Sequence, residues 1–234
     1  MGHIVITGAS SDIGLAITKE LSEIDKPMIL HCSKNREALK EWEERATIIS
    51  ADFSSNSELD FFISKLGDVE ILVNAAASTD TNLIPYITSE SLNKTIQINI
   101  VAFTKITQAV IPKMCINRRG NIINISSVTA KKVYRGQAIY AGSKAYMEAF
   151  TKAIVAEYGK KGVRSNCVAP GSINSGTLKR MGSVTEEQIK QLNAVGKLGS
   201  PKDVAKVVRF LCNPDSSYIN GTVIETNGGH WMGI

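Results

Sequence analysis

The chain of 234 residues is 43% apolar and 21% charged, ordinary values that exclude a disordered, collagenous or coiled-coil protein. Its longest apolar runs, such as Ile4-Val5-Ile6 and Ile71-Leu72-Val73, fall far short of the roughly 20 residues of a membrane span, so no membrane partner is expected. The formal net charge of +5 invites an anion, but scattered basic residues and an aromatic content of only 6% argue against nucleic acid.

Residues 3–6, 28–32, 46–51, 69–73, 121–125, 163–168 and 222–225 read as strands. They are nearly continuous in Val and Ile, as strands covered on both faces of a parallel sheet are. Helical patterns lie between them. Ile13, Ala16, Ile17, Leu21 and Ile24 form one apolar stripe, and Leu92, Ile96, Asn99, Phe103, Ile106 and Val110 form another, in which the amide of Asn99 is out of pattern. Ser200, Pro201 and Asp203 read as N-cap, first-turn proline and first-turn acid of a last helix. No linker or repeat interrupts the alternation. With right-handed crossovers it implies a single α/β domain over residues 1–234: an open, doubly wound parallel sheet of about seven strands with helices on both faces.

The first strand runs into Thr7-Gly8-Ala9-Ser10-Ser11-Asp12-Ile13-Gly14 and then the first helix. A glycine permits the tight turn, and unpaired amides at the helix N-terminus face an anion such as a diphosphate; a plain strand-to-helix turn is the alternative. Further on, Tyr140 and Lys144 stand one helical turn apart, and Ser127 closes the strand upstream of them. A tyrosine with a free pKa near 10 needs a downward shift of about three units to exchange protons near neutrality, about 4 kcal/mol, and Lys144 is suited to supply it. A serine hydroxyl beside them orients and polarises a carbonyl.

These motifs together resemble the short-chain dehydrogenase/reductase family, over nearly the whole chain and in order. The opening resembles its TGxxxGxG, with Asp12 in place of the middle glycine. The resemblance implies a Rossmann-type fold and cofactor contacts from Gly8, Ser10, Ser11, Asp12 and Ile13. A carboxylate aimed at a diphosphate is costly, so Asp12 is expected to turn aside and cap the helix amides or bond a ribose hydroxyl. Ser127, Tyr140 and Lys144 match the catalytic set, with Asn99 as its fourth member relaying protons through water; a satisfied buried amide is the alternative for Asn99. Asp52 and Phe53 match the adenine-binding position, where a loop cap is the other reading of Asp52. Asn74, Ala75 and Ala76 match the stretch ending strand four, with Ala75 and Ala77 departing from LVNNAG. Pro170, Gly171, Ile173 and Ser175 match the PGxIxT turn that holds the nicotinamide.

Strand two ends in His31-Cys32-Ser33-Lys34-Asn35-Arg36, with Ser33 where an NAD-selecting acid would stand and Lys34 and Arg36 within reach of a 2′-phosphate. NADP(H) is therefore the expected cofactor and no metal is expected, because Cys32, Cys115, Cys167 and Cys212 form no CxxC or CxxH pair. Their isolation reads as reduced thiols in a cytoplasm. Within the family the chain is most similar to the 3-oxoacyl-acyl-carrier-protein reductases of fatty acid biosynthesis, an impression carried by the insert at residues 175–200 and the Leu198-Gly199-Ser200-Pro201 run. The expected substrate is a small carbonyl or an acyl thioester, with an acyl-carrier protein and a homotetramer implied by the resemblance. A sugar, polyol or other secondary-alcohol dehydrogenase and a non-catalytic nucleotide-binding regulator are the alternatives. Arg118-Arg119 and Lys160-Lys161 are either solvated surface or docking points for an acidic carrier.

Overall fold

A computed structural model describes residues 2–176 and 193–230. Its strands are β1 (His3–Thr7), β2 (Met28–Cys32), β3 (Ala46–Ser50), β4 (Val69–Asn74), β5 (Gly120–Ile125), β6 (Val163–Pro170) and β7 (Val223–Thr226). They form one parallel sheet in the order β3-β2-β1-β4-β5-β6-β7. The helices are α1 (Asp12–Leu21), α2 (Asn56–Ser64), α3 (Ser89–Ile96), α4 (Phe103–Ile116), α5 (Ala138–Tyr158) and α6 (Pro201–Cys212).

Successive strand residues feed opposite faces, which is why both must be apolar. Ile4, Ile6, Ile71, Val73, Ile123 and Ile125 pack under α1 and α6. Val5, Leu72 and Ile122 pack on the other face against Phe62, Ile106, Met114 and Ile154 from α2, α4 and α5. Each fully buried Ile or Leu contributes about 1.5–3 kcal/mol, so the two layers hold the sheet from both sides. α6 begins with a full capping box between Ser200 and Asp203, as its sequence reads.

The second apolar series departs from a single helix. Gln97–Ala102 forms a π turn between α3 and α4, and its wider ring shifts the phase of the stripe. Asn99, Phe103, Ile106 and Val110 face inward, but upstream the buried positions are Ser91 and Thr95, while Leu92 and Ile96 are exposed. Ile24 likewise lies past the end of α1, though it still packs on the core.

The chain steps outward from β1 through β2 to β3 and then returns to β4, so the C-terminal ends of β1 and β4 flank the topological switch point where such sheets bind ligands. Arg118-Arg119 and Lys160-Lys161 precede the first paired residues of β5 and β6, Gly120 and Val163. They lie at the opposite end of the strands from Ser127, about 20 Å away along a six-residue strand. Arg119 there pairs with Glu70 at 2.7 Å and Arg118 donates to the Lys160 carbonyl at 3.2 Å. This placement removes them as a docking point at the mouth of the crevice.

Candidate active site

At the switch point, Gly8 turns with φ +66°, and a Cβ on it would lie 2.8 Å from the Ala76 backbone. A Cβ on Gly14 would lie 2.2 Å from the Gly8 carbonyl oxygen, so the helix approaches the strand only because both are glycine. Ser11 caps α1 by accepting the Gly14 amide at 3.1 Å. The amides before Gly14 have no acceptor within the helix and point outward with its dipole. Asp12 does not cap them, because Ser11 already occupies the N-cap position. Its Oδ2 turns to the loop after β6 and accepts the Gly176 amide at 2.7 Å. Thr7 Oγ1 accepts the amides of Ala75 and Ala76 at 3.1 and 3.2 Å, fixing the β4 loop beside the glycine turn. Asn74 reaches the site with its backbone alone, since its Nδ2 donates inward to Thr107 Oγ1 and Asn124 Oδ1.

Farther along the crevice, Asp52 Oδ1 accepts from the Ser54 amide at 2.9 Å and the Ser54 hydroxyl at 2.7 Å. These bonds hold its carboxyl below the usual carboxylate range and make it a loop cap. The Phe53 ring is buried and stacked on His31, so this side chain faces the core and not the crevice. Ser33 and Lys34 are exposed at the end of β2. Arg36 differs from expectation: its Nη1 donates to the Ile48 carbonyl at 3.1 Å, and Glu43 holds its Nη2 at 3.2 Å. At the β6 end, Gly171 donates to the Thr226 carbonyl, Ile173 is buried, and Ser175 sits half-buried beside Gly176. Residues 177–192 of the expected insert lie outside the described residues. The glycine cradle, the outward amides and exposed Lys34 fit a phosphate-bearing dinucleotide.

Ser127 follows β5, and Tyr140 and Lys144 lie in the first turns of α5. Ser127 Oγ accepts from the Thr129 amide at 3.2 Å and from the Thr129 hydroxyl at 2.8 Å. With its lone pairs so occupied, its own hydrogen is left to donate outward, and it bonds the Tyr140 hydroxyl. Burial pushes Tyr140 up to about 12, partly offset by that bond. Burial brings Lys144 down to about 8; its Nζ donates to the Ile125 carbonyl at 2.6 Å and stands 5.7 Å from the centre of the Tyr140 ring. The downward shift expected for Tyr140 is therefore absent from the protein alone, because desolvation outweighs the Ser127 hydrogen bond.

Asn99, on the π turn, accepts the Ser78 amide at 2.7 Å and donates to the Ser78 carbonyl at 2.9 Å and to Ser143 Oγ at 3.0 Å. Both amide hydrogens are used, so the side chain is the satisfied buried amide and not a water donor. Ser143 in turn donates to the Tyr140 carbonyl at 2.7 Å, tying the π turn to the tyrosine helix. Thr129, Ser78 and Ser143 escape the sequence reading because each acts through a neighbour distant in sequence or through a backbone group. A groove of about 450 Å³ opens beside the start of α5, lined by Leu83, Ile84, Pro85, Val133 and Tyr134. Next to it, buried His230 bonds the Tyr134 hydroxyl through Nε2.

A Rossmann-type sheet with a glycine cradle at its switch point and a Ser–Tyr–Lys set beside it defines a class, the dinucleotide-linked oxidoreductases. The chain belongs to the short-chain dehydrogenase/reductase family: the family model described as enoyl-(acyl carrier protein) reductase matches residues 8–230. It is 37% identical over 232 residues to the 3-oxoacyl-[acyl-carrier-protein] reductase FabG of Rickettsia felis, covering 97% of this chain and 96% of that one. Against the protein of the same name from Vibrio cholerae the identity is 31% over 235 residues, again 97% and 96% of the two chains. Among solved structures it resembles ElxO with NADP bound, at 27% identity and a TM-score of 0.86, over 98% of each chain.

Proposed function

We propose that residues 1–234 form one NADP(H)-dependent reductase unit that converts a 3-oxoacyl thioester, presented by an acyl-carrier protein, to the 3-hydroxyacyl thioester. The observation that carries this reading is the convergence of Ser127, Tyr140 and Lys144 beside the Gly8–Gly14 cradle, with a largely apolar groove beside the start of the helix that carries Tyr140 and Lys144. The names of the curated relatives support the substrate, and ElxO supports the cofactor. When bound, the reduced nicotinamide supplies the hydride. Ser127 donates to the substrate carbonyl oxygen, and Tyr140 delivers the proton to that oxygen. Lys144, brought down to about 8 by burial, keeps most of its charge near neutrality and stabilises the tyrosinate that remains.

The backbone of the 8–13 turn would hold the diphosphate, Lys34 and Ser33 the 2′-phosphate, and the loops at 52–53, 74–76 and 170–175 the rest of the nucleotide. The exposed Lys132 and Arg135, which flank the groove-lining Val133 and Tyr134, are the cations placed to meet an acidic carrier. A cytoplasmic homotetramer, which the family resemblance implies, is part of the proposal. The test is NADPH oxidation with acetoacetyl thioesters on carrier protein and on a small thiol, beside sugars and simple ketones. Turnover several-fold faster on the thioesters is expected. Turnover confined to sugars or polyols would reassign the substrate, and none at all would leave a nucleotide-binding protein without catalysis.

A further inference from the structure

His31 stands inside the otherwise apolar β2 and is only 2% exposed. Gly8 donates its amide to His31 Nδ1 at 3.0 Å, and His31 Nε2 lies 2.9 Å from the Ala51 carbonyl. A carbonyl can only accept and an amide can only donate, so the ring is neutral with its hydrogen on Nε2. Its face lies on Phe53, with centroids 3.8 Å apart and planes 4° from parallel, and Phe62 packs edge-on beside both rings, 5.0 Å from His31 and 5.2 Å from Phe53. The His31 carbonyl accepts the next amide of the same turn, Ala9, at 2.8 Å. One residue thus joins the glycine turn on β1 to the loop after β3.

We infer that His31 is a positioning residue for the cofactor: by accepting the Gly8 amide it fixes the glycine turn relative to the 51–53 loop, so that the diphosphate and adenine parts of the dinucleotide site keep a set separation. The inference rests on the NADP(H) reading above. A buried amide that loses its acceptor must find another or move, and here moving means displacing the cradle.

Three variants separate this role from packing. His31→Phe keeps an aromatic ring for Phe53 but removes the acceptor. His31→Asn places an oxygen near the Nδ1 position, and His31→Gln places its amide near Nε2 only. Kd for NADPH by fluorescence titration, kcat at saturating NADPH and far-UV circular dichroism are measured on each full-length chain. The expected result is a Kd raised at least about tenfold in His31→Phe and His31→Gln, kcat within about threefold, and recovery of most of the affinity in His31→Asn. A His31→Phe protein that folds and binds NADPH as the parent does overturns the inference. If His31→Phe does not fold, equal affinities for His31→Asn and His31→Gln overturn it instead. A parent chain that binds no NADPH removes the cofactor reading and this inference with it, an outcome distinct from normal parent binding with unchanged variants.

Discussion

Tyr140 stands in a setting that by itself makes its hydroxyl a poorer acid, because the desolvation that moves it to about 12 is not answered by Lys144 at 5.7 Å from its ring. As the proposed proton donor it is nevertheless the group whose loss should be felt most. Tyr140→Phe keeps the ring and is expected to lower kcat at least about a hundredfold, with Kd for NADPH and circular dichroism unchanged; full activity in this variant would end the mechanism. The two basic residues after β2 separate in the same way. Lys34 is exposed, whereas the Arg36 guanidinium is held by Glu43 and the Ile48 carbonyl. One charge-assisted contact is worth about 1.5–3 kcal/mol, so Lys34→Ala should raise KM for NADPH at least about tenfold and leave KM for NADH nearly unchanged. Arg36→Ala should change either by less than about threefold. Steady-state kinetics with both cofactors check this, and Ser33→Asp with Lys34→Ala should turn the preference toward NADH.

Elements differ in how openly the sequence announces them. The strands are legible because a sheet covered on both faces demands unbroken Val and Ile, and the α6 start is legible because Ser200, Pro201 and Asp203 each have one local job. That cap also supports α6 where it packs along α1. Ser200→Ala should cost about 1 kcal/mol, a fall in Tm of about 2–4 °C for a chain of this size, with kcat unchanged; thermal denaturation followed by circular dichroism measures it. The α3–α4 segment is not legible in the same way. Its π turn shifts the helical phase, and the inward positions before it are Ser91 and Thr95, whose burial depends on partners such as Asn82 and Ser78. The proposed catalytic trio is readable from spacing, but the support beneath it is not: Thr129 holds Ser127 partly through its backbone amide, Asn99 reaches Ser143 from 44 residues away, and Ser143 bonds the Tyr140 carbonyl. Asp12 is legible as an anomaly only, since its partner Gly176 lies 164 residues away.

Across the whole molecule, part of the basic charge stands away from the crevice: the Arg118-Arg119 and Lys160-Lys161 pairs sit at the far end of the strands, and the net charge of +5 therefore overstates what reaches it. Acid stability, in contrast, depends chiefly on a histidine buried beneath the glycine turn. Burial holds His31 down at about 4, against an ordinary 6.5, although the Ala51 carbonyl and nearby Asp52 favour its charged form. Between those values the unfolded chain takes up a proton that the folded chain refuses. The stability contributed by neutral His31 is thus complete above pH 6.5 and is lost as pH falls toward 4. The gap corresponds to about 3 kcal/mol at about 1.36 kcal/mol per pH unit, a decline in Tm of about 6–12 °C. Asp52 and Asp203 are held below 3.8 and weaken the fold only in stronger acid. His230, which burial also lowers, shares the His31 window, so the comparison is made between the parent chain and His31→Phe. Thermal melts at intervals from pH 7 to 4 should show a steeper decline in the parent than in the variant. Parallel curves would mean that His31 is not the acid-sensitive group.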